Sequence, residues 1–202
     1  HVDYALRFSQ IYGDLDLGLS WFKGTSRDPL LLPGIDAGGN PVLTPFYEQM
    51  TQYGIDAQLI HLDWIWKLEA IRRELESGDF NAATAGFEYT FYGILDSATD
   101  LGAIVEYSYD SRPKQEATIL DNDVFVGSRL AFNDIQSSEI LAGFFIDADN
   151  RGRSFRVEAN RRIGSSWKGT LELQTFSNIA DDDPLAALAD DDFLRLEMAY
   201  YF

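Results

Sequence analysis

No cysteine occurs among the 202 residues, so neither a disulfide framework nor a thiolate metal site can be built. Only two histidines are present, His1 and His61, which leaves little for general acid–base chemistry. Basic residues are scarce: 16 Lys and Arg against 33 Asp and Glu give a formal charge of −17. That balance argues against nucleic acid as a partner, because phosphate binding needs a basic face. No apolar run approaches the roughly 18 residues of a membrane helix, and the mean hydropathy is −0.19. The chain opens without the basic and apolar stretches of a secretion leader, as expected if one has been removed.

What is abundant is aromatic: ten Tyr, fourteen Phe and four Trp. A neutral hydropathy would file the chain as water-soluble, but that inference fails for strands whose oily and polar residues alternate. Period-two alternation runs from end to end, whereas helical periodicity is hard to find. In the last segment Leu194, Leu196, Met198, Tyr200 and Phe202 oppose Arg195, Glu197 and Ala199. Because side chains alternate along a strand, one side is apolar and the other polar. The same pattern predicts about eleven strands, over 2–10, 15–24, 47–60, 64–73, 83–92, 101–110, 122–132, 138–147, 154–163, 167–177 and 193–202. Arg161 is the exception, a charge among Phe155, Val157, Ala159 and Ile163.

Connections fall into two kinds. Gly13-Asp14, His61-Leu62-Asp63, Asn133-Asp134 and Gly164-Ser165-Ser166 are short; 25–46, 110–121 and 178–191 are long, with 74–79 and 148–153 intermediate. Short turns on one rim and longer loops on the other suit a membrane-spanning barrel, as do the aromatics near strand ends. The expected fold is therefore all-β: one domain, 1–202, forming a transmembrane antiparallel up-and-down barrel. A soluble sandwich or lipocalin-like barrel is the alternative, but its apolar face would pack inward.

The polar faces supply the candidate site. Arg7, Asp56, Lys67, Glu69, Glu88, Glu106 and Arg129 are expected to line an interior, together with Arg156, Glu158, Arg162, Lys168, Glu172, Arg195 and Glu197. Such a set either selects ions and small solutes in a pore or fills a narrow barrel with cross-strand ion pairs. Expected pairs join Arg156 or Arg162 to Glu172, and Lys168 or Glu172 to Arg195 or Glu197. An enzyme is not expected. His61 falls in a short turn and His1 at the chain start, neither beside a Ser or Asp partner, and no GxSxG, HExxH or phosphate-loop pattern occurs.

Two loops stand apart. Asp181, Asp182, Asp183, Asp190, Asp191 and Asp192 flank Pro184-Leu185-Ala186-Ala187-Leu188, and carboxylates of this density suit calcium; a solvated acidic loop is the plainer reading. No other cofactor is expected. The 25–46 segment, with Leu30-Leu31-Leu32-Pro33, is too apolar to extend freely into water and could fold into a barrel mouth or cover a partner.

The terminal residues Leu196, Met198, Tyr200 and Phe202 resemble the C-terminal signal of Gram-negative outer-membrane β-barrels. In that family a final Phe, with apolar or aromatic residues at alternate positions before it, is read by the barrel-assembly machinery. The resemblance covers the last strand only; the rest is similar to porin-type barrels in pattern. It implies an outer-membrane location and lipid and lipopolysaccharide as surroundings. It also implies a porin-like channel for small hydrophilic solutes or ions, the alternative being a non-conducting barrel that serves as a structural or assembly component of a complex. In such barrels both chain ends lie in the periplasm, so the strand number is even. Eleven strands then imply twelve or more in the complete barrel, the remainder coming from another chain or a missing N-terminal segment.

Overall fold

The computed structural model describes residues 2–113 and 119–202. Strands dominate because β-branched and aromatic residues alternate with polar ones over segments of strand length. They are β1 (Tyr4–Tyr12), β2 (Leu15–Thr25), β3 (Leu30–Ile35), β4 (Pro41–Phe46), β5 (Gln49–His61), β6 (Trp64–Leu75) and β7 (Phe80–Phe91). These are followed by β8 (Asp100–Asp110), β9 (Asn122–Ala131), β10 (Glu139–Asp147), β11 (Arg153–Ile163), β12 (Trp167–Ser177) and β13 (Phe193–Tyr200). Short 3-10 turns at Ile94–Asp96 and Pro184–Leu188 complete the elements.

Eleven of the strands form one antiparallel sheet in the order β1-β2-β5-β6-β7-β8-β9-β10-β11-β12-β13. Each is paired to its sequence neighbour, the β3–β4 excursion aside, which is the meander expected from the alternation. The sheet is open. Among the described residues no pairing joins β1 to β13, so closure into a barrel is absent from the strand pairing.

The 25–46 segment departs from expectation. Instead of an irregular loop it holds β3 and β4, paired from Leu30↔Phe46 to Ile35↔Pro41 as a separate two-stranded ribbon. Every residue of both strands is exposed, so the ribbon does not pack into a mouth. Its turn is held by Asp36, whose carboxylate accepts from the Gly38 and Asn40 N–H groups at 2.8 Å each. Asn40, through its backbone first and its side chain second, draws the Asp36 carboxyl below the usual range.

At one end of the sheet the connections are 13–14, 62–63, 92–99, 132–138 and 164–166; at the other they are 26–48, 76–79, 111–121, 148–152 and 178–192. The first end is the tighter one, although 132–138 is longer than the Asn133-Asp134 turn expected from sequence. There Asp134 accepts from the Ser138 N–H at 2.7 Å and its hydroxyl at 2.8 Å, closing the loop in place of a two-residue turn. Gly13 and Gly164 supply the left-handed φ of 61° and 64° that the shortest turns require. At the looser end Glu48 is buried, and its carboxylate accepts from both the N–H and hydroxyl of Ser77 at 2.8 Å. That contact ties the long 26–48 connection to the four-residue 76–79 connection beside it.

Directly paired residues share a face, so the register sorts every strand residue onto one of two sides. The row Tyr12, Leu15, Leu59, Trp66, Phe87, Val105, Val126, Phe144 and Phe155 crosses nine strands on one side. The adjacent row on the other side runs through Asp16, Gln58, Lys67, Gly86 and Glu106. The core is the reverse of a water-soluble protein's. Among the described strand residues those buried are Met50, Phe80, Glu88, Ile104, Asp110, Asp123, Asp147 and Ser154, with Gly18, Gly24, Gly102 and Gly143, and the register puts all of them on the polar side. Large apolar side chains on the opposite side stay open, among them Leu6, Leu19, Trp66, Val126 and Leu196. Among the described residues no further strand packs over the polar side, whose buried residues are covered by neighbouring side chains and by the connections at its ends.

Candidate functional site

All fourteen charged residues expected to share an interior fall on the polar side: their positions in β1, β5–β9 and β11–β13 have the same parity in the ladder. The ladder also decides which of them meet. Arg7 holds Asp56 by two contacts of 2.9 and 3.0 Å across β2, whose Gly18 lies under the Asp56 carboxylate. A Cβ on Gly18 would stand 2.3 Å from that carboxylate, so the glycine makes room for the pair. Lys67 reaches Glu106 at 3.9 Å over β7, where Gly86 leaves the space. Arg129 binds the buried Glu88 over Gly102 of β8 and approaches Glu139 at 3.9 Å. Glycine in a strand interior here marks a site where a long side chain from another strand must cross.

Toward the C-terminus, Arg195 joins Glu172 at 3.7 Å, one of the expected pairs, and also Glu197 on its own strand at 2.6 Å, which was not expected. Arg156 takes Glu158 on its own strand at 3.5 Å instead of Glu172, because Glu172 is already engaged by Arg195. Glu69, Arg162 and Lys168 enter no ion pair among the described residues. Arg161 shares the apolar side with Lys23, Arg72, Glu74 and Arg153, which lie toward the long-loop end; it sits near the short-turn end and reaches Asp134 at 3.7 Å. Its guanidinium thus leaves the apolar band for the loop beyond it. Asp134 is held well below the ordinary carboxylate range, first by the Ser138 backbone N–H, then by the Ser138 hydroxyl and Arg161.

The apolar side carries aromatic residues at both ends. Trp64, Trp66, Phe87, Tyr89 and Phe91 stack in a chain with ring centroids 4.7 to 5.4 Å apart at the short-turn end. Trp167 and Tyr200 meet at 4.9 Å at that same end, with Phe202 beyond at 6.4 Å. Tyr4, Trp21, Tyr53, Tyr107 and Tyr109 take the same side near the long-loop end. Leu15 and Trp21 are six positions apart on β2, or roughly 20 Å of strand between the two levels. Between them, on β2, β5, β6 and β7, the rows hold Leu17, Leu19, Ile55, Ala57, Leu68, Ala70, Ala83 and Ala85, without a charge.

Sequence reasoning missed two features of the polar side. At the long-loop end, the Arg112 guanidinium lies 4.2 Å and that of Arg73 5.6 Å from the Phe80 ring. Arg112 also binds the buried Asp110, and Arg73 donates to Gln52 and Asp28 at 2.5 and 2.9 Å. The other feature is a row of phenylalanines, Phe125, Phe145 and Phe176, set among the charges. Their apolar character disguised the side they belong to; strict counting of parity through Asp123 or Gln174 would have placed them.

The remaining expected sites are dispersed. In the acidic loop Asp183 accepts from the Leu185 N–H and Asp192 from the Phe176 N–H, each at 2.8 Å. Among the described residues no three His, Cys, Asp or Glu side chains gather as they would around a metal ion. His61 does have a carboxylate neighbour, contrary to expectation: its Nδ1 is 3.2 Å from Asp14 Oδ2, across the two adjoining short turns. His1 lies outside the described residues. Comparison with known protein families, curated proteins and solved structures returns no match.

Proposed function

We propose that the sheet is the wall of an outer-membrane β-barrel, with its apolar side in lipid and its charged side enclosing a path for small hydrophilic solutes or ions. The observation that carries this reading is the inversion of burial. Charged Glu88, Asp110, Asp123 and Asp147 are covered, whereas Leu6, Leu194 and Leu196 are each 69% exposed or more. In water that arrangement would leave a large apolar surface bare. In a bilayer it is the favoured one. The two aromatic levels support the same reading, since Trp and Tyr concentrate where hydrocarbon meets headgroup. Leu196, Met198, Tyr200 and Phe202 lie on that apolar side, where a signal for the assembly machinery would be presented.

Closure in lipid follows from the open edges. Unpaired N–H and C=O groups along β1 and β13 would each cost several kcal/mol in hydrocarbon. Both strands run toward the short-turn end, so antiparallel closure takes an odd number of further strands, from the same polypeptide or another. Twelve is the smallest number that satisfies this.

A second reading has its own observation. The pairs Arg7–Asp56, Lys67–Glu106, Arg129–Glu88 and Arg195–Glu172 bridge the polar side, as charges do when they fill an interior. A non-conducting barrel that serves as a structural or assembly component would look so. Reconstitution into planar bilayers separates the two. Stepwise conductance that changes ion preference in a Glu69→Lys/Glu106→Gln variant supports the channel. A heat-modifiable but electrically silent protein supports the scaffold, and one that stays monodisperse in detergent-free buffer overturns both.

A further inference from the structure

Phe125, Phe145, Phe176 and Phe193 lie in adjacent rows of the polar side, among charged and small residues of β9 to β13. Phe125, Phe145, Ser154 and Phe176 follow one another across β9, β10, β11 and β12. The next row, toward the short-turn end, is Gly127, Gly143, Arg156, Gln174 and Phe193. The Phe125 and Phe145 rings lie 4.7 Å apart at 42°. Gly127 and Gly143 are what admit them: a Cβ at either position would stand 2.5 Å from the Phe125 ring. Two adjacent strands thus give up their side chains to seat one ring.

The hollow has a roof. The 3-10 turn Pro184–Leu188 brings Leu185 and Leu188 over the rings, with Ile179 from the same connection. Asp183 caps that turn, and Asp192 holds its far end by accepting from the Phe176 N–H at 2.8 Å. The hollow, still partly open, has a volume of about 460 Å³, within the range of small-molecule sites, which are mostly apolar with a few directed polar groups. Here those groups differ in availability. Asp147 is occupied by its own turn, accepting from the Asp149 and Asn150 N–H groups at 2.6 and 3.0 Å. Asp183 is spent on the Pro184–Leu188 turn. Facing the rings from the inner end are the Arg156 guanidinium, half exposed and 3.5 Å from Glu158, and the Gln174 carboxamide, its direct ladder partner.

We propose that this hollow binds small aromatic monocarboxylates, with the ring among Phe125, Phe145 and Phe176 and the carboxylate on Arg156 and Gln174. A planar ring suits the stacked phenylalanines. A guanidinium beside a carboxamide presents the donor fork that a carboxylate accepts. Asp123 at the outer end of the hollow disfavours a second negative charge on the ligand. Binding needs only the folded sheet and the 178–192 connection, so it stands apart from whether the protein conducts.

The test is fluorine NMR of the full chain in detergent micelles, with 4-fluorophenylacetate as probe and 2-(4-fluorophenyl)ethanol as its uncharged counterpart. The wild-type protein is expected to bind the acid at least ten-fold more tightly than the alcohol. Arg156→Gln should remove that preference while leaving the alcohol's affinity within two-fold. Phe145→Leu, which keeps most of the volume and so the fold, should weaken both probes about five-fold. Absence of saturable binding by wild type overturns the proposal, as does equal affinity for both probes or an Arg156→Gln variant that still prefers the acid. Electrical silence in a protein that binds the acid would count against the channel and leave this site standing.

Discussion

Glycines on the polar side divide by what a side chain would meet. At Gly86 a Cβ would stand 2.4 Å from the Val105 carbonyl oxygen, which is backbone and cannot swing away. At Gly102 the nearest atom is the Glu88 Oε1 at 2.6 Å, the end of a flexible side chain. Gly86→Ala should therefore destabilise by about 2–3 kcal/mol and Gly102→Ala by roughly half that, measured by urea unfolding in micelles. Equal costs would mean that the sheet yields at Gly86. Glu88 has an acidic side chain only 5% exposed, with the Arg129 guanidinium against it. Arg129→Met leaves that carboxylate covered and unmatched, at an expected cost of about 2–3 kcal/mol, reduced from the fully buried case because Arg129 is itself 41% exposed. Adding Glu88→Gln should restore most of the loss in the same unfolding assay. A double variant no more stable than the single would show that the charge was not the cause.

Among the elements, the strands of the main sheet were legible because each keeps one parity for nine or so residues, and parity is what a strand needs. Boundaries from alternation fall within a few residues of the hydrogen-bonded ones, as for 167–177 and for 64–73 against Trp64–Leu75. The β3–β4 ribbon was not legible: Pro33, Gly34 and Pro45 read as loop chemistry, yet at the rim of a two-stranded ribbon their missing donors and side chains are tolerated. The Phe125 row stayed hidden because an apolar residue on a polar face looks like noise in an alternating pattern. The ion pairs were legible only as candidates, since register, not sequence, decides whether Glu172 meets Arg156 or Arg195. The 132–138 connection carries a prediction of its own. Asp134 has its pKa depressed in the folded protein by the Ser138 N–H, so its contribution is present above about pH 3.9, the unfolded value, and is lost as pH falls through the lower folded value. Exchange of the Ser138 amide should thus remain slow at pH 5 and accelerate, beyond the intrinsic rate, only below about pH 3.9. Asp134→Asn should erase that step; a step unchanged in the variant would assign it to another group.

For the whole molecule, the decisive contrast is between neighbours that point apart. Leu68 lies in the uncharged band and Glu69 on the polar side, one residue later on β6. In lipid, Leu68→Arg should cost about 2–4 kcal/mol, whereas Glu69→Arg should change ion preference with little effect on unfolding. Comparable costs at both positions would place water on both sides.

The two outer strands of the sheet, β1 and β13, point the same way, and that restricts how copies could associate. Joining two molecules through the same edge, antiparallel, turns one upside down relative to the other. Joining them through the same edge, parallel, sets the oily surface of one flush with the charged surface of its neighbour. Only a head-to-tail chain, β13 of one against β1 of the next, keeps both compartments and both surfaces in agreement, and its seams would be parallel ladders in an otherwise antiparallel wall. In a membrane with two distinct faces, as proposed, two copies could therefore not pair through the same edge of each.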